Sequence, residues 1–213
     1  FLGVGANATF QYAQTIYLLP MAVLGTGEAA AHLPDLAEQD LSAPETRRSV
    51  IAGITQSLTR VLTLAFAAAA LFLVLGVDVT RVLFRGGSFD ESSTRAVGAV
   101  LAAYALGLPA NAASRILGTA SFARGDTLRP ALFAVVRVVV STAVSIALMK
   151  RLGVPGVVIG AAVAAWVELA LLAINVRRAY GQTGLAGVPY LRILGAASAP
   201  ALLGLGGHAL FER

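Results

Sequence analysis

Cysteine is absent from the 213 residues, which removes disulfides, thiolate metal sites and a cysteine nucleophile together. Histidine is nearly absent: His32 and His208 lie far apart in sequence, a poor basis for an imidazole metal site. Charge is scarce as well. Sixteen Lys plus Arg and 11 Asp plus Glu make 13% of the chain, where soluble domains carry about 25%. That is too little polar material to coat a water-facing surface. Apolar residues fill the space instead, at 57% of the chain with a mean hydropathy of +0.79. Such a chain belongs in a bilayer, and its length allows roughly six spans of about 20 residues. It opens at Phe1 without the basic start or small-residue cleavage site of a secretory signal. It therefore reads as a piece of a larger membrane protein.

The formal charge of +5 and pI near 10.2 would suit nucleic acid only if the basic residues shared one face. They do not: all but Lys150 are arginines, scattered in ones and twos at the ends of apolar segments. That is how membrane proteins meet lipid headgroups, so membrane lipid is an expected partner and nucleic acid is not. No Gly-x-x-x-x-Gly-Lys-Ser/Thr loop, Ser/His/Asp arrangement, paired-carboxylate site or metal cluster occurs. The sequence thus points away from an enzyme and calls for no cofactor.

Hydrophobic runs divide the chain into six expected spans with short loops. Residues 1–33 carry no charge before Glu28 and contain Pro20. Ser42-Ala43-Pro44-Glu45 reads as a capping box opening a helix over 45–77 that turns wholly apolar from Val61. Residues 78–89 form an expected connection, and Ser88-Phe89-Asp90-Glu91 reads as a second capping box before a helix over 90–123, interrupted at Gly107-Leu108-Pro109. Helices over 127–149 and 157–178 follow, separated by a turn at 150–156, with Asp126 or Thr127 as the cap of the first. A last apolar stretch, 188–211, carries Pro200. Short loops make successive helices antiparallel neighbours, so the expected fold is an all-α membrane bundle. Arginines 47, 48, 124, 129, 177, 178 and 192 fall on one side, against Arg81, Arg85, Arg95, Lys150, Arg151 and Arg213 on the other. The count places the first group in the cytoplasm.

Several stretches resemble the lipid II flippases, the MurJ/MviN family of the multidrug/oligosaccharidyl-lipid/polysaccharide exporter superfamily. Tyr12-Ala13, Leu19-Pro20, Val23-Leu24-Gly25 and Leu33-Pro34-Asp35-Leu36 are similar to the family's "YADRLxxxPxGVxGxAxxxxxLPxLS" helix. Val82 to Phe89 resembles its "LLFERGAF" loop, Ala103 to Ala110 its "AYALGLPA", and Phe122 to Pro130 its "FYARxDTxTP". Order and spacing hold across residues 1–180. The resemblance implies the second lobe of a two-lobe flippase over 1–180, an additional C-terminal transmembrane helix over 181–213, and a missing N-terminal lobe as partner. It further implies alternating access at the inner membrane, with an undecaprenyl-pyrophosphate-linked peptidoglycan precursor, a lipid-linked glycan, held in a cationic cavity. One departure stands out. Where the family helix has Asp-Arg, with Arg a cavity cation, this chain has Gln14 and Thr15. A drug or cation antiporter of the same superfamily and a non-transporting membrane scaffold therefore stay open beside the flippase.

Charges inside spans cost about 2.5–3.5 kcal/mol each on insertion scales, so they mark cavities or partners. Arg60, Arg115, Arg137 and Glu168 qualify. Arg115 falls where the family often has Lys; it either meets a phosphate in the cavity or snorkels to headgroups. Arg137 and Glu168 lie at similar depth on adjacent helices, which predicts an interhelical ion pair, with a coupling role for Glu168 as the alternative. Substrate-binding candidates are thus Arg115, Arg137, Thr15 and Gln14. Pro20 and Pro109 each remove a backbone hydrogen bond inside a span and are hinge candidates. Glu28 and His32 read as a solvated pair, and Gly156-x-x-x-Gly160 as a close helix contact.

Overall fold

The structure, a computed structural model, describes residues 5–26, 44–84, 90–195 and 197. Among them the chain forms five long helices and no strand: α1 (Ala6–Thr26), α2 (Pro44–Phe84), α3 (Glu91–Phe122), α4 (Leu128–Leu152) and α5 (Val154–Tyr180). A 3-10 turn at Leu185–Gly187 follows, and the chain is helical again over 190–195. Helices α2 to α5 are long and apolar enough to cross a membrane. Glu28, His32, the expected Ser42 cap, residues 85–89, Pro200 and His208 lie outside the described residues.

Helix boundaries follow local chemistry, and several differ from expectation. Asp90, not Ser88, caps α3: its carboxylate accepts from the Ser93 amide at 2.8 Å and from the Ser92 hydroxyl. The expected connection over 78–89 is helical as far as Phe84, so α2 has 41 residues and is about 60 Å long. The charges that suggested a loop are spent inside and beside the helix. Arg81 bonds Asp78 three residues back at 2.6 Å and Glu91 of α3 at 2.8 Å, while the buried Thr80 hydroxyl returns to the Gly76 carbonyl. The turn expected over 150–156 shrinks to one residue. Gly153, at φ +62°, ends α4 and starts α5, a backbone conformation that favours glycine. Pro155 fits in the first turn of α5, where no intrahelical donor is needed.

Helix α3 sits at the centre, flanked by α1, α2 and α5, and α4 leans on α5. Two-thirds of the apolar window of α3 is buried, against 6% of that of α4. Composition explains the contrast. Helix α3 is rich in Ala and Gly, which let backbones approach, so a Cβ on Gly107 would stand 3.0 Å from the Ala162 Cα on α5. Helix α4 instead carries Leu132, Val135, Val138, Val139 and Ile146 on an exposed face, as a lipid-facing helix should. Its contact with α5 runs through the Gly156-x-x-x-Gly160 pair: a Cβ on Gly160 would lie 2.6 Å from the Ser145 amide nitrogen. The Ser145 hydroxyl fills the notch by donating to the Val157 carbonyl at 2.9 Å. Tyr17 of α1 stacks on Tyr104 of α3 with ring centroids 4.5 Å apart.

Candidate functional site

A cavity of about 650 Å³ opens between α1, α3, α4 and α5. From α3 it receives Asn111, Ser114, Arg115, Gly118, Thr119 and Phe122. Asn111, Ser114, Arg115 and Thr119 recur at helical spacing, so they form one polar stripe on this part of the helix. Thr127 and Pro130 mark its outer end, beside the α3–α4 turn on the arginine-rich side. Arg137, Asn111 and Glu168 mark its depth: Arg137 lies nine residues from the start of α4, or about 14 Å along the axis.

The deep end is a three-helix network. Arg137 of α4 donates through Nη1 to Glu168 Oε2 of α5 at 2.6 Å, and through Nη2 to Asn111 Oδ1 of α3 at 2.7 Å. The Asn111 amide in turn donates to the Gly107 carbonyl at 2.9 Å, one turn back and beside Pro109. Trp166 Nε1 caps the neighbouring Leu106 carbonyl at 2.9 Å. Pro109 lacks the N–H that would bond the Ala105 carbonyl, and the two side chains add bonds to the next two carbonyls, Leu106 and Gly107. Helix α3 nonetheless runs unbroken from Glu91 to Phe122, correcting the expected interruption at Gly107-Leu108-Pro109.

The remaining cavity wall is less complete. Arg115 is exposed to the cavity and has no hydrogen-bond or ion-pair partner among the described residues. Ser114 beside it lines the same cavity, and its hydroxyl, sealed from the open space, has no partner among the described residues either. Buried hydroxyls are nearly always satisfied, so this wall is less tightly finished than the deep end.

A second network closes the α3–α4 turn. Asn175 of α5, 3% exposed, donates to Asp126 Oδ2 at 3.0 Å and to the Ser121 hydroxyl at 3.3 Å, and accepts from Arg129 at 3.2 Å. Asp126 also receives the Arg129 amide, so it performs the capping chemistry although Thr127 is the cap residue. The Asn175 amide above all holds the Asp126 carboxyl below the usual aspartate range. Gly125 adopts φ +74° to make the turn, Tyr180 donates to the Ala120 carbonyl, and Arg124 lies 5.4 Å from the Tyr180 ring centre. The Phe122–Pro130 motif is therefore a fold-forming turn at the mouth of the cavity.

The structure brings Arg115, Arg137 and Glu168 to one cavity and makes the expected Arg137–Glu168 ion pair. It leaves Gln14 and Thr15 exposed on α1, outside the residues that line the cavity. The Thr15 hydroxyl returns to the Gln11 carbonyl at 2.9 Å. Pro20 is half-buried within an unbroken α1, whose Met21 does line the cavity. Asn111 and Ser114 were not anticipated from the sequence. Their signal was the spacing Asn111, Ser114, Arg115, Thr119, a polar stripe in an Ala-rich helix.

The family model described as "Lipid II flippase MurJ" matches residues 1–212. The chain belongs to the lipid II flippase MurJ family. It is 35% identical over 174 residues to a "Probable lipid II flippase MurJ" of Rhizobium tropici, covering 82% of this chain and 32% of the relative. It is 36% identical over 168 residues to the protein of the same description from Rhizobium meliloti, covering 79% and 31%. A solved "Lipid II flippase MurJ, inward closed conformation" superposes with a TM-score of 0.78 at 18% identity, over 97% of this chain and 41% of that one. The chain thus spans about a third of the length of the curated MurJ relatives it matches. The structural likeness establishes the all-α membrane bundle, and in a MurJ family member the polar cavity is the part to interpret.

Proposed function

We propose that the full-length protein is a flippase of the bacterial inner membrane that moves lipid II, an undecaprenyl-pyrophosphate-linked peptidoglycan precursor, between leaflets. The observation that carries this reading is membership of the MurJ family over residues 1–212. The cavity supports it chemically. A pyrophosphate needs cations that are not already neutralised, and Arg115 offers a planar guanidinium with unspent donors. The apolar outer face of α4, beside the cavity, suits the prenyl chain. No bond of the substrate changes in this scheme, so the residues bind and reorient rather than catalyse. Residues 1–180 act as one lobe of an alternating-access pair, 181–213 as an additional helix, and the absent lobe supplies the opposite cavity wall. Pro20 and Pro109 are the points where α1 and α3 bend as the lobes rock. Gln14 and Thr15 contact the substrate only if that motion turns the exposed face of α1 inward.

The test is complementation. The full-length parent gene is introduced into a bacterium depleted of its own lipid II flippase, and growth is scored. Rescue by the wild type that is lost on Arg115→Ala, with both proteins equally abundant in the membrane, is the expected result. Absence of rescue by the abundant wild type would contradict the flippase reading and favour the antiporter or the scaffold.

A further inference from the structure

We infer that Glu168 is a built-in competitor for the ligand's phosphate: its carboxylate occupies Arg137 in the empty cavity and is displaced when an anionic headgroup enters. The inference rests on the reading of this cavity as a lipid-linked phosphate site and adds how that site is held when vacant.

Three observations carry it. First, the pair is on the cavity wall rather than sealed between helices. Arg137 is 36% exposed, and both residues line the cavity with Arg115 and Ser114. Second, the contact is half-made. A guanidinium and a carboxylate can form two parallel bonds, but here a single Nη1–Oε2 bond joins them and Arg137 turns its other nitrogen to Asn111. Two of the five guanidinium N–H groups are used. Glu168 Oε1 has no partner among the described residues, and it is not among their sealed-off polar atoms. Third, the helices do not need the pair to stay together. Helices α4 and α5 interlock where Gly156 and Gly160 meet Leu148 and Ser145, and their other ends are tied by Arg129 and Asn175.

Exchange of one oxyanion for another is therefore open to Arg137. A phosphate oxygen offers Nη1 the same acceptor as Glu168 Oε2, with more charge, in a cavity that Arg115 lines as well. Asn111 keeps hold of Nη2 and of the Gly107 carbonyl, so the guanidinium stays in place while its anion changes. Asn111 is then a positioning residue. Glu168 keeps the empty cavity nearly neutral at this level and sets a threshold that weakly charged anions do not pass.

The test uses the full-length protein in lipid nanodiscs and inorganic pyrophosphate as the probe, titrated by calorimetry. Wild type, Glu168→Gln, Arg137→Ala, the double variant and Glu168→Asp are compared, each with its thermal midpoint. Competition predicts that Glu168→Gln tightens pyrophosphate binding about tenfold, a coupling of about 1.4 kcal/mol, and that the gain vanishes in the Arg137→Ala background. It predicts a smaller gain for Glu168→Asp, which keeps the charge but draws the carboxylate back by one methylene. An equal gain with and without Arg137 would overturn the inference, because Glu168 would then act only as a general negative field. No gain from a folded Glu168→Gln would overturn it too. If that variant does not fold, Glu168→Asp decides alone: tighter binding supports competition and unchanged binding refutes it. Wild-type binding that depends on Arg115 but ignores Glu168 would sink the competitor and leave the flippase reading standing. No binding by any form would remove both the competitor and the phosphate site.

Discussion

The cavity network and the turn clamp use the same three helices and the same kinds of side chain, about 12 Å apart along α4, yet they are finished differently. In the clamp, Asn175 is 3% exposed and spends its amide and its carbonyl on Asp126, Ser121 and Arg129. In the cavity, Arg137 keeps donors in reserve, Arg115 has no partner among the described residues, and the Ser114 hydroxyl is unsatisfied. A closed network of buried polar groups fixes one arrangement of the helices. An open one lowers stability slightly and leaves chemistry for a guest. The difference separates a motif that makes the fold from a surface left open to a ligand, although both contain arginines facing acids.

Breaking the clamp has the largest expected effect. Asn175→Leu removes one hydrogen-bond partner each from Asp126, Ser121 and Arg129 at a buried position and should cost about 2–3 kcal/mol of stability, read as a lower thermal midpoint and less folded protein in the membrane. Gly160→Ala, outside both networks, forces a methyl against Ser145 and should cost about 1–3 kcal/mol by the same measurement. The cavity should answer with the opposite sign. Ser114→Ala removes a buried unsatisfied hydroxyl, so the midpoint should hold or rise by the equivalent of up to about 1 kcal/mol, while pyrophosphate binding stays within about twofold of wild type. A loss of stability on Ser114→Ala would erase the contrast between the networks.

The smallest effect is a pH dependence. Because the Asn175 amide holds the Asp126 carboxyl below its ordinary value, the clamp's contribution is complete above that ordinary value of about 3.9. It is lost as pH falls through the lower folded-state value. Thermal midpoints measured from pH 6 downward should therefore decline below about pH 4, and Asp126→Asn should flatten that decline.

Much of this was legible in the residues, and what escaped has physical reasons. The membrane bundle follows from apolar run lengths, and the Arg137–Glu168 pair from two intramembrane charges at equal depth. The run of charges at Asp78 and Arg81 resembled a loop because a sequence does not display that Glu91, ten residues on, folds back to pair with Arg81. Pro109 resembled a break, but it costs the helix only the bond to the Ala105 carbonyl, and the added side-chain bond to the Leu106 carbonyl comes from Trp166, which is remote in sequence. Asn111 and Ser114 were hidden among alanines, where single small polar residues look ordinary until their shared face is drawn. Gln14 and Thr15 were candidates by alignment to a motif, and helix phase, which motif position does not encode, leaves them outside the cavity lining.

The most direct measurement of the central claim is the fraction of lipid II exposed on the outer leaflet in flippase-depleted cells that express the full-length parent. Restored exposure with the wild type, and a fall of about tenfold or more with an equally abundant, equally stable Arg115→Ala, is what a phosphate-gripping cavity predicts. Exposure that stays at the depleted level with abundant wild type, or that is indifferent to Arg115, would contradict it.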